Sequence, residues 1–309
     1  MSLASFLGIL FAALSQAAVL ALVTLGIVLI FKTSFTTNFA QGMVGTLSAF
    51  TVTMFQINTL SVIFPHISGT MIILLSLIFG VLFGFAIGLF IDVILIRKSR
   101  YSNPLSKQMI TMGIVLFLTG LIPTVFRKNI DDMPTPRPIL TGKWIFNVSG
   151  TDVIVPLHNV VTIIIAIVII SVIFIMLKYT KWGLGVRATA SNEKVASMMG
   201  VNTKLITALS WGIACGLGSL GAALYAPMTT SLTLGMMVFM QVNGFLAAVL
   251  GGFATFFGPI VGAILIPIIT VYLYGVSDIW NVAFVYVIIL IIILIKPVGI
   301  FGKRIAKKV

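Results

Sequence analysis

The chain has 309 residues, of which 60% are hydrophobic and only 8% are charged. Soluble domains carry about 25% charged residues, so this chain cannot cover itself with a hydrated surface and is expected to lie in a membrane. The formal net charge of +13 does not indicate a nucleic-acid partner, because the basic residues fall in short loops between apolar runs, where they would face lipid headgroups.

Apolar runs of about 20 residues, the length that crosses a bilayer, recur along the whole chain. The first run lacks a preceding basic residue and is longer than the apolar core of a secretory signal, so a retained spanning helix is expected. Nine spans are predicted, and eight or ten would also fit: 6–31, 39–60, 70–96, 108–126, 157–177, 205–227, 235–253, 257–276 and 279–296. The predicted fold class is all-α, a polytopic membrane protein with one transmembrane domain over 1–309.

The distribution of basic residues predicts the orientation, since cytoplasmic loops carry the excess of lysine and arginine. Fifteen of the 19 basic residues fall on one predicted side, which is therefore taken as cytoplasmic. The other side receives Arg127, Lys128, Arg137 and Lys143. The N-terminus is predicted outside and the C-terminus inside, with an extracytoplasmic loop over 127–156 and a cytoplasmic loop over 178–204.

Ionisable groups are almost absent from the predicted spans. There is no charged residue between Lys32 and Asp92, or between Lys204 and Asp278. Ion-coupled pumps commonly mark their pathways with such groups. The one candidate, Asp92, is five residues from Arg97 and is expected to form an interfacial ion pair, with a coupling-ion site as the alternative. The chain also lacks a phosphate-binding loop, a zinc motif and a nucleophile elbow, so it is expected to be a channel or one subunit of a larger machine and not an enzyme.

Two stretches within the spans combine small and polar residues that could line a translocation path. In "NFAQGMVGTLSAF" the amides either face a cavity or form hydrogen bonds between helices. In "LGGFATFFGPIVGAIL" the glycines either allow close helix packing or expose backbone to a pathway. Both interpretations stay open, and the candidate path residues are Asn38, Gln41, Gly42, Gly251 and Gly252.

The segment 181–204 is the one long polar stretch in the second half of the chain. Within "ASNEKVASMMG", a serine or asparagine at 191–192 can cap a helix, and Glu193 suits its first turn. Gly200 is a plausible helix end. One apolar stripe is predicted from Val195, Met198 and Met199, at i, i+3 and i+4. Such an amphipathic helix lies on a membrane or inserts into a groove of another protein.

This segment resembles the cytoplasmic loop of the permease subunits of branched-chain amino acid ABC importers. The matching residues are Gly183 or Gly185, Arg187, Ala188, Ala190, Glu193, Ala196, Gly200 and Val201. The resemblance extends in family order, from about residue 38 to 300, to "NFAQGMVGTLSAF", to "PTPRP" in the outside loop and to "FLAAVLGGFATFFGPIVGAIL". Gln41 stands where the family often has histidine.

The resemblance implies a bacterial inner-membrane importer core made of two homologous permeases. Two cytoplasmic ATP-binding subunits and a periplasmic or lipid-anchored substrate-binding protein would complete it, without a cofactor or metal in this chain. The loop 182–204 would be a coupling helix seated in an ATPase groove, through Gly185, Arg187, Ala188, Glu193, Ala196, Met199 and Gly200. Leucine, isoleucine and valine are the expected substrates. The alternatives are a urea or short-amide ABC permease, and a self-sufficient channel or secondary carrier.

Overall fold

The computed structural model describes residues 3–59, 68–99, 103–126, 133–148, 150–274, 277 and 279–302. The helices are α1 (Leu3–Ser34), α2 (Gln41–Met54), α3 (Gly69–Phe90), α4 (Pro104–Val125), α5 (Leu157–Tyr179), α6 (Lys181–Ser191), α7 (Glu193–Met198), α8 (Thr203–Tyr225), α9 (Met236–Gly251), α10 (Phe257–Tyr274) and α11 (Asn281–Ile295). π-Helical turns extend α2 over Phe55–Thr59 and α3 over Ile91–Ile96. The prediction of a polytopic helical membrane protein is confirmed.

Six helical segments in these ranges are long and apolar enough to cross a bilayer. They are Ser5–Ser34, Gly69–Ile96, Pro104–Val125, Leu157–Tyr179, Thr203–Met228 and Phe257–Tyr274. The helices α2, α9 and α11 occupy the other three predicted spans, but they have only 14, 16 and 15 residues. The count of nine crossings therefore stays a prediction. Arg127, Lys128 and the basic residues after 302, which entered the predicted orientation, lie outside the described residues.

The predicted outer loop 127–156 contains a β-hairpin of β1 (Lys143–Val148) and β2 (Thr151–Pro156). The strands pair antiparallel with Trp144 opposite Val155, and Gly150 supplies the positive φ of +81° between them. Val153 and Val155 are buried beside apolar residues of α1. The hairpin thus packs on the N-terminal end of α1.

Helices α1 and α8 lie at the centre of the bundle, and most of the surface of each is buried. In the small-residue stripe of α3, Gly84 and Gly88 pack on α8, and Gly80 packs on α2. A Cβ added at Gly84 would lie 2.7 Å from the Cβ of Ser219, so the two backbones approach too closely for a larger residue. The stripe contributes helix packing, the interpretation that small residues at regular spacing favour.

Candidate translocation pathway and coupling segment

Residues 35–40, which connect α1 to α2, run through the interior of the protein, and we call them the ascending segment. Their contacts with α4 begin at the N-terminal end of that helix and continue toward its middle. The hydroxyl of Thr36 donates to the carbonyl of Pro104 at 3.3 Å, and the Phe39 N–H donates to the hydroxyl of Thr111 at 3.2 Å. Those two partners are seven residues apart on a helix, which corresponds to a rise of about 10 Å. The chain therefore runs about 10 Å along α4 as non-helical backbone before α2 begins at Gln41, two residues after the predicted start of the span 39–60.

Helix α2 consequently begins deep in the bundle. Gln41 is the first residue of α2, and its side-chain nitrogen Nε2 donates to the backbone carbonyl of Val23 at 3.0 Å. Val23 precedes the end of α1 at Ser34 by 11 residues, or about 16 Å of helix. Irregular backbone at this depth is tolerated only where protein or water covers it. Thr36, Asn38 and Ala40 are indeed fully buried within the protein.

A buried amide cluster surrounds this helix start and consists of Asn38, Gln41 and Gln241. The Asn38 side chain accepts the Ala40 N–H at 2.9 Å, and the amide nitrogen of Gln241 donates to the Asn38 carbonyl at 3.0 Å. A Cβ added at Gly42 would lie 3.1 Å from the Cβ of Gln241, so this glycine allows α9 to approach α2. The structure therefore brings together three of the five predicted path residues.

Two acceptors of the amide cluster have no partner. The side-chain oxygens of Gln41 and Gln241 are both buried and accept no hydrogen bond within the described residues. A buried acceptor without a donor is costly, and such groups in native structures call for an explanation. The uncapped first turn of α2 lies beside them and carries the partial positive charge of a helix N-terminus. This place can therefore offer both donors and acceptors to a polar solute.

The structure places Gly251 and Gly252 elsewhere, at the end of α9. The N–H of Ile300 donates to the Leu250 carbonyl at 2.8 Å, and that of Phe301 donates to the Gly251 carbonyl at 3.2 Å. Gly252 has a φ of +91°, which favours glycine and turns the chain toward α10. These two glycines follow Gln241 by 10 and 11 residues, or about 15 Å along the chain of α9. Their role in a path stays a prediction, separate from the amide cluster.

The predicted interfacial ion pair is present at the end of α3. A carboxylate oxygen of Asp92 lies 2.6 Å from a guanidinium nitrogen of Arg97. The same guanidinium donates to the backbone carbonyl of Lys204, at the start of α8. A cavity of about 260 Å³ at this place is also lined by Glu193, the first residue of α7. The ion pair therefore connects α3 with α8 beside the polar segment.

The polar segment 181–204 folds as two short helices and not as one. Helix α6 begins at Lys181 because the hydroxyl of Thr180 accepts the Gly183 N–H at 3.1 Å, a cap that sequence reasoning missed. Asn192 separates α6 from α7 and caps α7 by accepting the Val195 N–H at 3.1 Å, as predicted. The predicted helix end at Gly200 is also confirmed, since this residue has a φ of +86°.

The predicted coupling residues divide by the direction in which they face. Gly185 and Ala196 are buried, and a Cβ at Gly185 would lie 2.6 Å from the Ile206 side chain. Ala188 is half-buried. The other four predicted coupling residues are exposed on the protein surface: Arg187, Glu193, Met199 and Gly200. The predicted apolar stripe is exposed, with exposed fractions of 52% for Val195, 84% for Met198 and 79% for Met199.

Comparison with known families decides the class of protein. The family described as "Branched-chain amino acid transport system / permease component" matches residues 9–294, which include every element described above except the ends. The chain belongs to this family. As a member of it, the chain is a multi-pass transport protein of the cell membrane.

Individual members of the permease family are similar over nearly the whole chain. The high-affinity branched-chain amino acid transport system permease protein BraD of Pseudomonas aeruginosa is 22% identical over 295 residues, covering 94% of this chain and 93% of BraD. LivH of Escherichia coli, with the same description, is 22% identical over 302 residues with the same coverage. The nucleoside ABC transporter permease protein NupB of Lactococcus lactis is 26% identical over 165 residues, covering 52% of this chain and 45% of NupB. No solved structure is significantly similar to the chain.

Sequence reasoning missed Gln241 as a member of the amide cluster. The signal was present, since Gln241 and Asn243 are the only two amide side chains in the otherwise apolar helix "MMVFMQVNGFLAAVLG". Amides in membrane helices face partners or cavities and avoid lipid. The permease therefore places Gln241 of α9 against Asn38, just before α2, and against Gly42 within it.

Proposed function

We propose that this permease is the membrane-spanning subunit of an ATP-binding cassette importer for branched-chain amino acids. An extracytoplasmic binding protein would deliver the substrate, and separate cytoplasmic ATPases would supply the energy. The similarity to BraD and LivH over 94% of the chain supports leucine, isoleucine and valine as the substrate class. The chain would form the membrane core with a second homologous permease.

The exposed apolar stripe on α7 is the observation that carries the proposal. Met198 and Met199 project their flexible side chains from a short capped helix, and Ala196 anchors its opposite face. Methionine adapts to irregular partner surfaces, and an amphipathic helix binds a groove through such a stripe. In the proposed importer, α7 is the coupling helix, and its stripe inserts into a groove of the ATPase.

The ion pair at the end of α3 would couple a displacement of α7 to displacements of the spanning helices α3 and α8. Glu193 of α7 lines the same cavity as Asp92 and Arg97, and Arg97 also binds the start of α8. A displacement of α7 by the ATPase would therefore reach α3 and α8 together. In the proposed importer, 178–204 would lie on the cytoplasmic side, and the hairpin in 127–156 on the outer side, of a bundle with nine crossings.

The amide cluster would lie on the translocation path. A zwitterionic amino acid has a carboxylate that suits the N-terminus of α2. Its ammonium group suits unpaired acceptors such as the side-chain oxygens of Gln41 and Gln241. Neither interaction requires an ionisable side chain within the membrane. The lack of charged residues between Lys204 and Asp278 is therefore compatible with this path.

The experiment that tests the proposed function measures leucine uptake into proteoliposomes that contain the full complex with its ATPase. Uptake is expected to require both ATP and the ATPase subunit. Uptake of leucine at the same rate without the ATPase would contradict the proposal and support a self-sufficient carrier. Urea and short amides are assayed in parallel. So is a nucleoside, since the partial similarity to NupB favours nucleosides as a second candidate substrate class.

A matched pair of variants tests the role of α7 in the same assay. Met198→Ser removes an exposed methionine from the stripe, and Met71→Ser removes an exposed methionine from the opposite end of the bundle, at the start of α3. We expect only Met198→Ser to weaken co-purification of the ATPase. Equal co-purification for both variants would contradict the assignment of α7.

A further inference from the structure

Two cavities lie in the half of the bundle that contains the hairpin. The first, which we call the vestibule, has a volume of about 450 Å³ and lies beside Gly142, Pro156 and His158. The second, which we call the chamber, has a volume of about 170 Å³ and lies between α1, α9, α10 and α11. Both cavities are lined by Ala12 and Gln16 of α1. The two cavities therefore meet the same stretch of α1, at Ala12 and Gln16.

The chamber contains polar groups that lack partners. Asn243 is only 4% exposed, and its side-chain oxygen accepts the Tyr286 hydroxyl at 3.2 Å. Its amide nitrogen donates to no group within the described residues, although Asn243 lines the chamber. The amide of Gln16, an exposed residue within the span Ser5–Ser34, also has no partner among the residues described. Because an unpaired amide is unfavourable in lipid, both groups are suited to bind water or a solute.

Apart from the hydroxyl-bearing Thr270 and Tyr274, the remaining wall of the chamber is apolar. Leu20, Ile266 and Val285 contribute aliphatic surface, and none of the described residues that line the cavity is charged. The volume accommodates on the order of ten non-hydrogen atoms, given the space that one water-sized atom requires. An apolar wall with a few placed polar groups is typical of sites for small amphiphilic ligands.

The chamber ends beside the amide cluster. Met240 lines the chamber, and the next residue, Gln241, is hydrogen-bonded to the Asn38 carbonyl. Leu20 also lines the chamber, three residues before Val23, whose carbonyl accepts the Gln41 amide. The buried Leu20 and Met240 thus line the chamber within three residues of groups that bind the amide cluster.

We propose that the chamber is a binding site for a small, uncharged or zwitterionic solute with a compact aliphatic group, and that Gln16 and Asn243 are its polar contacts. The aliphatic wall would hold the hydrocarbon part, and the Asn243 amide would donate to a carboxylate or carbonyl oxygen. Tyr286 would orient Asn243 as a positioning residue. Solutes with a charged side chain would bind less well, because none of the described lining residues pairs with that charge. The inference rests on the proposed function and adds the place where the substrate waits before translocation.

Cysteine labelling tests the chamber directly. The native Cys215 is buried, and Cys215→Ala gives the background for Thr270→Cys in the chamber wall. The control is Ile145→Cys on the exposed hairpin. In vesicles of known orientation, a membrane-impermeant thiol reagent added on the hairpin side should label both positions. Leucine should slow labelling of Thr270→Cys by the factor 1 + [leucine]/Kd, which is roughly tenfold at a concentration about nine times the Kd, without affecting Ile145→Cys.

The opposite result has two forms, and each overturns the proposal. Labelling of Thr270→Cys that leucine leaves unchanged means that the chamber does not bind the substrate. Labelling by a lipid-soluble maleimide alone means that the chamber opens to acyl chains. Both readouts are independent of the ATPase. Protection by leucine with ATPase-independent uptake would refute the importer but keep the chamber, whereas ATPase-dependent uptake without protection would refute the chamber alone.

Uptake kinetics provide a second readout with a matched control. Tyr286→Phe removes the hydroxyl that orients Asn243, and Tyr272→Phe removes an exposed hydroxyl of α10 that does not line the chamber. We expect Tyr286→Phe to raise the KM for leucine roughly threefold to tenfold, the effect of one neutral hydrogen bond, with kcat unchanged. Tyr272→Phe should keep both constants. An unchanged KM in Tyr286→Phe would contradict the assigned role of the chamber.

Discussion

The carboxylate of Asp92 and the guanidinium of Arg97 are 2.6 Å apart at the end of α3, and Arg97 also binds the start of α8. The carboxylate is almost fully buried, whereas the guanidinium is partly exposed. Removing the cation therefore leaves an uncompensated charge in a place that water reaches poorly. This relationship gives the first prediction.

Arg97→Met should lower the free energy of unfolding by about 3 kcal/mol, the lower end for loss of one partner of a buried pair. The double variant with Asp92→Asn should recover part of that loss, because it also removes the unpaired charge. Lys98→Met is the control, since this exposed neighbour forms no ion pair within the described residues. Thermal unfolding in detergent measures all three. Equal stability of Arg97→Met and Lys98→Met would show that the pair contributes nothing.

Gly84→Val should destabilise the bundle by about 1–3 kcal/mol, the usual effect of overpacking. The reason is that its Cβ would lie 2.7 Å from the Cβ of Ser219 on α8. Gly120→Val on α4 is the matched control, because nothing lies within 4 Å of a Cβ added there. Detergent-solubilised protein is heated and its monodisperse fraction is measured by size-exclusion chromatography. If both variants lose their monodisperse fraction at the same temperature, the assignment of Gly84 to close packing with α8 is wrong.

Gly200→Ala should destabilise α7 by about 1 kcal/mol, because a φ of +86° strains a residue that has a Cβ. Asn192→Ala should have an effect of similar size, about 1 kcal/mol, through loss of the N-cap. Amide hydrogen exchange within α7 measures both. Gly235→Ala is the control, since this glycine has a φ of −83° and open space around it. Unchanged exchange in α7 for both variants would contradict the capped-helix description.

Local spacing is what made these features predictable from the sequence. Asn192, Gly200 and the Asp92–Arg97 pair each depend on residues within a few positions of one another. The hairpin was also accessible in principle, because "KWIFNV" and "TDVIVP" carry β-branched and aromatic residues on either side of Gly150. From the sequence, only an extracytoplasmic loop over 127–156 was predicted, and the two strands within it were not identified.

The ascending segment and the amide cluster could not be predicted in the same way. Residues 35–40 cross part of the bundle without helical periodicity, and their polar groups are satisfied by Pro104, Gln108 and Thr111 of a distant helix. Gln241 meets Asn38 across 203 positions of the chain. Sequence patterns are evaluated over short stretches of neighbouring residues, so they contain no information about either of these long-range contacts. Asn38 and Gln41 were identified by residue type alone.

Gln41→Leu should leave the thermal stability nearly unchanged and lower leucine uptake about tenfold, a loss of about 1.4 kcal/mol. The substitution removes one amide hydrogen bond to Val23 together with a buried oxygen that has no donor, so the two effects on stability oppose each other. Thr162→Val is the control, because it removes a buried unpaired hydroxyl of α5 that belongs to neither the cluster nor the chamber. Normal uptake in Gln41→Leu would remove the amide cluster from the path.

The most direct measurement is a crosslink between α7 and the ATPase. A cysteine introduced at the exposed Met199 position, in a Cys215→Ala background, is modified with a short reagent that has one thiol-reactive and one photoreactive group, and the assembled complex is irradiated. We predict a covalent adduct with the ATP-hydrolysing subunit, together with labelling of Met199→Cys by an impermeant reagent from the cytoplasmic side only. Labelling of Met199→Cys from the extracytoplasmic side alone, with no adduct, would contradict a permease that is driven through α7.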